Sequence, residues 1–180
     1  MKYYLRIFIS SLLFSCLFLN VHAELSSKHS KRINKVLKKH LRSSDYSFHE
    51  ISIPGPICEQ LSFRIKPGQL LKLQQEGKAD HYIFLDQAKG RHELFTFIVL
   101  FTPKLEIDLI SVIEYNEVHG YEIASKKWLA KFKGINLQSK PQIKGVDAIS
   151  GATMSCKSIK DGIGKVLKKM NELKQKGCLD

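Results

Sequence analysis

The apolar positions of this chain change period twice. Between residues 26 and 42, Ile33, Val36, Leu37 and Leu41 recur at helical spacing among Lys31, Arg32, Lys35, Lys38 and Lys39. That pattern predicts an amphipathic helix with a basic outer face. From Tyr46 the signal shortens. Phe48, Ile51 and Ile53 predict a strand that stops at Pro54-Gly55-Pro56, and Leu61, Phe63 and Ile65 alternate as far as Pro67-Gly68. Gln69 to Glu76 reads as a short helix closed by Gly77. Tyr82–Leu85, Leu94–Phe101 and Ile107–Tyr115 then read as three strands, with turns at Lys89-Gly90 and Pro103-Lys104. Helical spacing returns around Trp128, Leu129 and Phe132, and again from Ile159 through Ile163, Val166, Leu167 and Met170 to Leu173. The three strands lie too close together for crossover helices between them, which predicts an antiparallel meander. The expected architecture is α+β: a single domain in which helices near 125–132 and 156–175 pack on an antiparallel sheet.

Composition supports one globular unit. The chain has 180 residues, 43% hydrophobic and 26% charged, enough for a real core and too apolar for disorder. Lys2 and Arg6, an apolar run from Ile7 to Leu19 and then Val21-His22-Ala23 describe a secretory signal peptide cleaved after Ala23. The run is shorter than the roughly 20 residues that span a bilayer. Cys16 follows Leu13-Phe14-Ser15, but bulky Phe14 and the apolar residues beyond it make a poor lipoprotein site. Loss of Lys2 and Arg6 lowers the formal charge from +12 to +10. The mature chain stays strongly basic and suited to an acidic partner or an anionic membrane surface, while export argues against nucleic acid. The basic helix at 26–42 admits membrane-surface binding, but its narrow apolar stripe better suits packing on the domain. Cys58, Cys156 and Cys178 survive processing. An odd number allows one bridge with a free thiol, or none. No Cys or His spacing suggests a metal site, and no Ser-His-Asp or Cys-His arrangement suggests a catalytic residue.

The run Asp147-Ala-Ile-Ser-Gly-Ala-Thr153 carries the chemistry. Gly151 permits backbone geometry that a Cβ would forbid, and Ala152 keeps bulk away from whatever approaches. Ser150, Thr153, Ser155 and Ser158 place hydroxyls just ahead of the last helical stretch. A helix N-terminus with its free N–H groups is a natural phosphate site. The ordinary alternative is a loop with a Ser or Thr helix cap, a role open to Ser155.

The same run resembles the flavin-attachment motif of the FMN-binding domain family, which includes the C subunit of the sodium-translocating NADH:quinone reductase and the G subunit of the Rnf complex. Upstream, Glu117-Val118-His119-Gly120 and Phe132-Lys133-Gly134 follow the family's order, with His119 where members often have Pro. The likeness covers roughly residues 78–170. With the signal peptide at 1–23, this leaves an N-terminal helix with unassigned strands at 24–77 and an FMN-binding domain at 78–176. The resemblance implies that Thr153 is esterified to the phosphate of FMN, derived from FAD with release of AMP by a separate magnesium-dependent flavin transferase. It further implies that Asp147, Ser150, Gly151 and Ala152 are recognised during attachment, and that Ser155, Glu117, His119 and Gly120 belong to the cofactor site. The protein would then be an exported, periplasmic electron carrier that serves a membrane or periplasmic redox partner. Taken alone, Trp128 and Phe132 are better explained as core, and Gly120 as a turn residue. Two other readings are a non-redox basic binding module and a flavin-dependent reductase of a small substrate. Material recovered from outside the cytoplasm is expected to begin at or near Glu24 on N-terminal sequencing. Membrane-bound material still starting at Met1 would instead mean an uncleaved anchor.

Overall fold

The computed structural model describes residues 29–179. The signal peptide and Cys16 lie outside the described residues. Helix α1 occupies 29–41. Five strands follow it, namely β1 (Ser47–Glu50), β2 (Leu70–Gln74), β3 (His81–Lys89), β4 (Leu94–Phe101) and β5 (Ile107–Glu114), with the one-turn α2 (Gly55–Cys58) after β1. They form one sheet in chain order, with every neighbouring pair antiparallel. Next come a 3-10 turn (Tyr121–Ala124), α3 (Lys126–Leu129), a second 3-10 turn (Ala130–Phe132), α4 (Gln142–Gly145) and the long α5 (Thr153–Gln175). This is the expected α+β arrangement of helices on an antiparallel sheet.

Helices cover both faces of the sheet. Phe95, Phe97, Val99 and Phe101 of β4 face α5, which buries Cys156, Ile159, Ile163, Val166, Met170 and Leu173 against them. Ile98 and Leu100 face the other way, towards Ile33 and Leu37 of α1. Double burial explains why β4 is a continuous apolar run and not an alternating one. Each large side chain so buried contributes about 1.5–3 kcal/mol. Among the described residues no helix is long and apolar enough to cross a membrane.

Two elements differ from the expectation. Leu61, Phe63 and Ile65 form no strand. Pro56 sits in the first turn of α2, the bends after it carry no ladder, and all three side chains still pack half-buried on the α5 side. Their alternation reflects a shared apolar contact and not strand pairing. Residues 69–76 form no helix, because Leu70–Gln74 is β2, paired with β1 and β3. Its Leu, Lys and Gln residues favour helix, but Leu70 fills one layer while Leu71 and Leu73 fill the other. Pairing on both sides outweighs a weak propensity.

β5 is irregular in a useful way. Its register against β4 shifts twice, leaving Asp108 and Ile113 without residues opposite them. Bulges of this kind re-aim side chains. Asp108 holds His40 of α1 at 2.7 Å and Lys133 at 2.9 Å. At the other end of α1, His29 and Arg32 each lie 3.3 Å from Glu114. Burial acts to raise the Asp108 carboxyl, but hydrogen bonds and charge from His40 and Lys133 outweigh it and hold the group below its ordinary value. A depressed carboxyl stabilises the fold above its unfolded pKa, and that stability is lost as pH falls through the folded value. Asp108→Asn is expected to lower stability at neutral pH by about 1–3 kcal/mol in urea titrations. The gap should close progressively below about pH 4.

Candidate functional site

Three segments meet at one end of the sheet: the β3–β4 turn, the loop leaving β5, and the first turn of α5. Between them lies a cleft of about 740 Å³ lined by Arg91–Glu93, Asn116–Glu122 and Gly151–Ser155. The two motifs picked out in the sequence, Glu117–Gly120 and the end of Asp147–Thr153, therefore share one cavity.

The loop after β5 is held by its own side chains. Tyr115 Oη donates to the His119 carbonyl at 2.6 Å and lies 3.3 Å from Ser155 Oγ, joining the loop to α5. Gly120 sits at φ 85°, and a Cβ there would stand 2.6 Å from that same Tyr115 oxygen. Only glycine satisfies both conditions. Glu117 accepts the backbone N–H groups of His92 at 3.1 Å and Glu93 at 3.2 Å, fixing the β3–β4 turn. A Cβ on Gly90 would overlap the Glu117 carboxylate. Glu117 and Gly120 thus shape the cleft wall.

The Asp147–Thr153 run ends in a turn that delivers the chain into α5. Ala152 N–H donates to the Ile149 carbonyl at 3.0 Å, and Gly151 has φ 81°. This is a type II turn, whose third position calls for glycine. Helix α5 begins at Thr153, and its cap residue Ala152 makes no side-chain capping bond. The alternative of a Ser or Thr cap is not used. Around the turn, Trp128 Nε1 donates to the Asp147 carbonyl at 2.7 Å, and Lys160 Nζ donates to the Val146 carbonyl at 2.7 Å. Ile149 N–H points to Cys156 Sγ at 3.4 Å. Trp128 also meets Phe132 edge-on at 5.2 Å, and both are buried, as core packing requires.

The residues singled out in the sequence fall into three groups. Thr153 and His119 are exposed in the cleft, along with Gly151. Ala152, Ser155, Glu117 and Gly120 line it but are buried or half-buried, Ser155 being only 4% exposed. Asp147 and Ser150 are exposed on the approach to the turn, outside the lining. Several lining residues went unread. Val118, Tyr121 and Met154 are 91%, 68% and 61% exposed, three large apolar side chains gathered on one cleft. Tyr115 lies tilted against Phe95 at 5.5 Å and edge-on to Tyr121 at 5.9 Å, carrying an aromatic row from the core to the rim. Its only trace in the sequence is an aromatic residue at the end of an apolar strand.

Residues 90–168 match the family described as the FMN-binding domain. Every residue lining the cleft falls within that stretch. No curated protein matches the chain. The matched family is the one that the Asp147–Thr153 run resembles, and the stretch similar to it holds the whole cleft.

The loop geometry is open to test through Gly120. Gly120→Ala forces a Cβ into a left-handed backbone and onto Tyr115 Oη, and is expected to cost about 1–3 kcal/mol in denaturant unfolding. Combining it with Tyr115→Phe, which removes the oxygen, should recover part of that loss.

Proposed function

We propose that this protein is an exported electron carrier with FMN held as a phosphoester on Thr153. One observation carries the reading. Of the hydroxyls in and beside the motif, Thr153 alone both lines the cleft and is exposed; Ser150 lies outside the lining and Ser155 is buried.

The surroundings fit the group. A cleft of about 740 Å³ is the size of a cofactor site. The first turn of α5 offers N–H groups without a side-chain cap, at the positive end of a 23-residue helix. A phosphate on Thr153 is favoured there by both hydrogen bonding and the helix dipole. Val118, Tyr121 and Met154 supply apolar surface for a flat ring. When bound, the isoalloxazine supplies one- or two-electron transfer. The protein's part is to fix the phosphate end through Thr153, shape the walls through Tyr115, Glu117 and Gly120, and leave the ring edge open to a partner.

Attachment forms the bond between Thr153 Oγ1 and phosphorus, breaks the pyrophosphate of FAD and releases AMP. A flavin transferase catalyses it, and the exposed Asp147 is part of what that enzyme reads. A phosphoester keeps the cofactor on a carrier in an open compartment. The redox partner is periplasmic or membrane-borne. The exposed Lys31, Lys35, Lys38 and Lys39 of α1 suit an anionic membrane surface.

Co-expression with a flavin transferase should add the mass of one FMN group and give in-gel fluorescence that survives denaturation. Thr153→Val is expected to abolish both with the fold intact, since Val keeps the shape and loses the hydroxyl. Thr153→Ser should retain part of the labelling, and Asp147→Ala should reduce it. Flavin still attached to the Val variant would move the site to another hydroxyl. A wild-type chain that never gains flavin would leave a basic binding module. Turnover of a small substrate by the loaded protein would favour a reductase.

A further inference from the structure

We propose that Cys58 and Cys178 are a disulfide-forming pair that ties the segment before β2 to the end of α5. Among the described residues Cys58, Cys156 and Cys178 are free thiols in this structure. The arrangement of the chain allows only one of the three pairings.

Residues 58–62 run along the last turn of α5. Lys176 Nζ donates to Gln60 Oε1 at 3.0 Å, and the Glu172 carboxylate takes the backbone N–H of Ser62 at 2.6 Å together with its hydroxyl. Cys58 lies two residues before Gln60, and Cys178 lies two residues after Lys176. The chain folds back just beyond the helix, with Cys178 N–H bonded to the Leu173 carbonyl at 2.9 Å. Both thiols are half-buried at this junction. Burial pushes the Cys178 thiol up, and the neighbouring Cys58 adds to the effect. Cys156 is buried near the opposite end of α5, with its sulfur against Ile149 N–H. About twenty helical residues separate it from Cys178, roughly 30 Å at the helical rise.

The segment concerned is held to α5 by a few side-chain contacts. From residue 55 to residue 66 it contributes no strand to the sheet. Besides apolar contacts, it is held by Glu172, by Lys176 and by Lys169, whose Nζ lies 5.6 Å from the Phe63 ring. A covalent link closes a long loop, and long loops lose the most unfolded-state freedom on closure. The reaction is thiol–disulfide exchange with an external disulfide. One thiolate attacks it and releases the first thiol; the second cysteine then displaces the other. The two protein thiols are oxidised, one external disulfide is reduced, and the two protons pass to the released thiols.

The test uses the full chain, reduced and then exposed to oxidised glutathione, without flavin. Mass should fall by two hydrogens, and a non-reducing peptide map should show Cys58 joined to Cys178. The thermal midpoint should rise by roughly 5–10 °C over the reduced protein and return on reduction. Amide exchange across residues 55–63 should slow with the link in place. Cys58→Ser is expected to remove all of these changes, and Cys156→Ser none of them. Glutathione retained on Cys58 or Cys178 without linkage, or a link to Cys156 or Cys16 instead, would overturn the pairing.

Discussion

The position of the site follows from how closely α5 can lie on the sheet. At Gly162 a Cβ would stand 3.0 Å from Phe97 Cζ, so the helix rests almost directly on β4. The apolar stripe from Cys156 to Leu173 then fixes the rotation of the helix, and the Lys169–Asp86 ion pair at 2.6 Å adds a tether to β3. Thr153 lies nine residues upstream, roughly 13 Å along the helix. Its location at the mouth of the cleft is inherited from that contact. A side chain on a rigid helix is placed more accurately than one on a loop, because every buried residue behind it resists displacement.

Within the site, shaping and presenting are done by different residues. Tyr115, Glu117, Trp128 and Lys160 each direct a polar group at backbone partners. Thr153, Val118, Tyr121 and Met154 face the cleft and have little protein around them. A Tyr oxygen that contacts both His119 and Ser155 joins two segments far apart in sequence, making the β5 loop and the α5 turn move as one wall.

Much of this could be read from the residues. The run Asp147–Thr153 and the helical period after it located the turn into α5, and the apolar runs of β4 and β5 located two neighbouring strands of the sheet. What escaped was whatever depended on partners distant in sequence. β2 carries helix-forming residues and becomes a strand only because β1 and β3 flank it. Leu61, Phe63 and Ile65 alternate like a strand but lack anything to pair with. β5 alternates imperfectly, since two bulges insert residues that belong to no period. Ser155 looked like a cap, yet its hydroxyl faces Tyr115, a contact between residues forty positions apart. Glu117 carries no sign in the sequence that its carboxylate serves two amides of another turn.

The covering of the second sheet face by α1 separates the unit of homology from the unit of folding. The stretch shared with the FMN-binding family starts at Gly90, after the whole of β3, and omits β1, β2 and α1 as well. Ile98 and Leu100, which lie inside that stretch, are sealed from water by Ile33, Leu37, Leu71 and Leu73, which lie outside it. Cut down to the matched stretch, the chain would keep every lining residue of the cleft and expose the sheet face of Ile98, Leu100 and Ile113. Such a fragment would be sticky before it was functional, and the segment without family likeness is therefore the piece that makes the recognisable piece soluble.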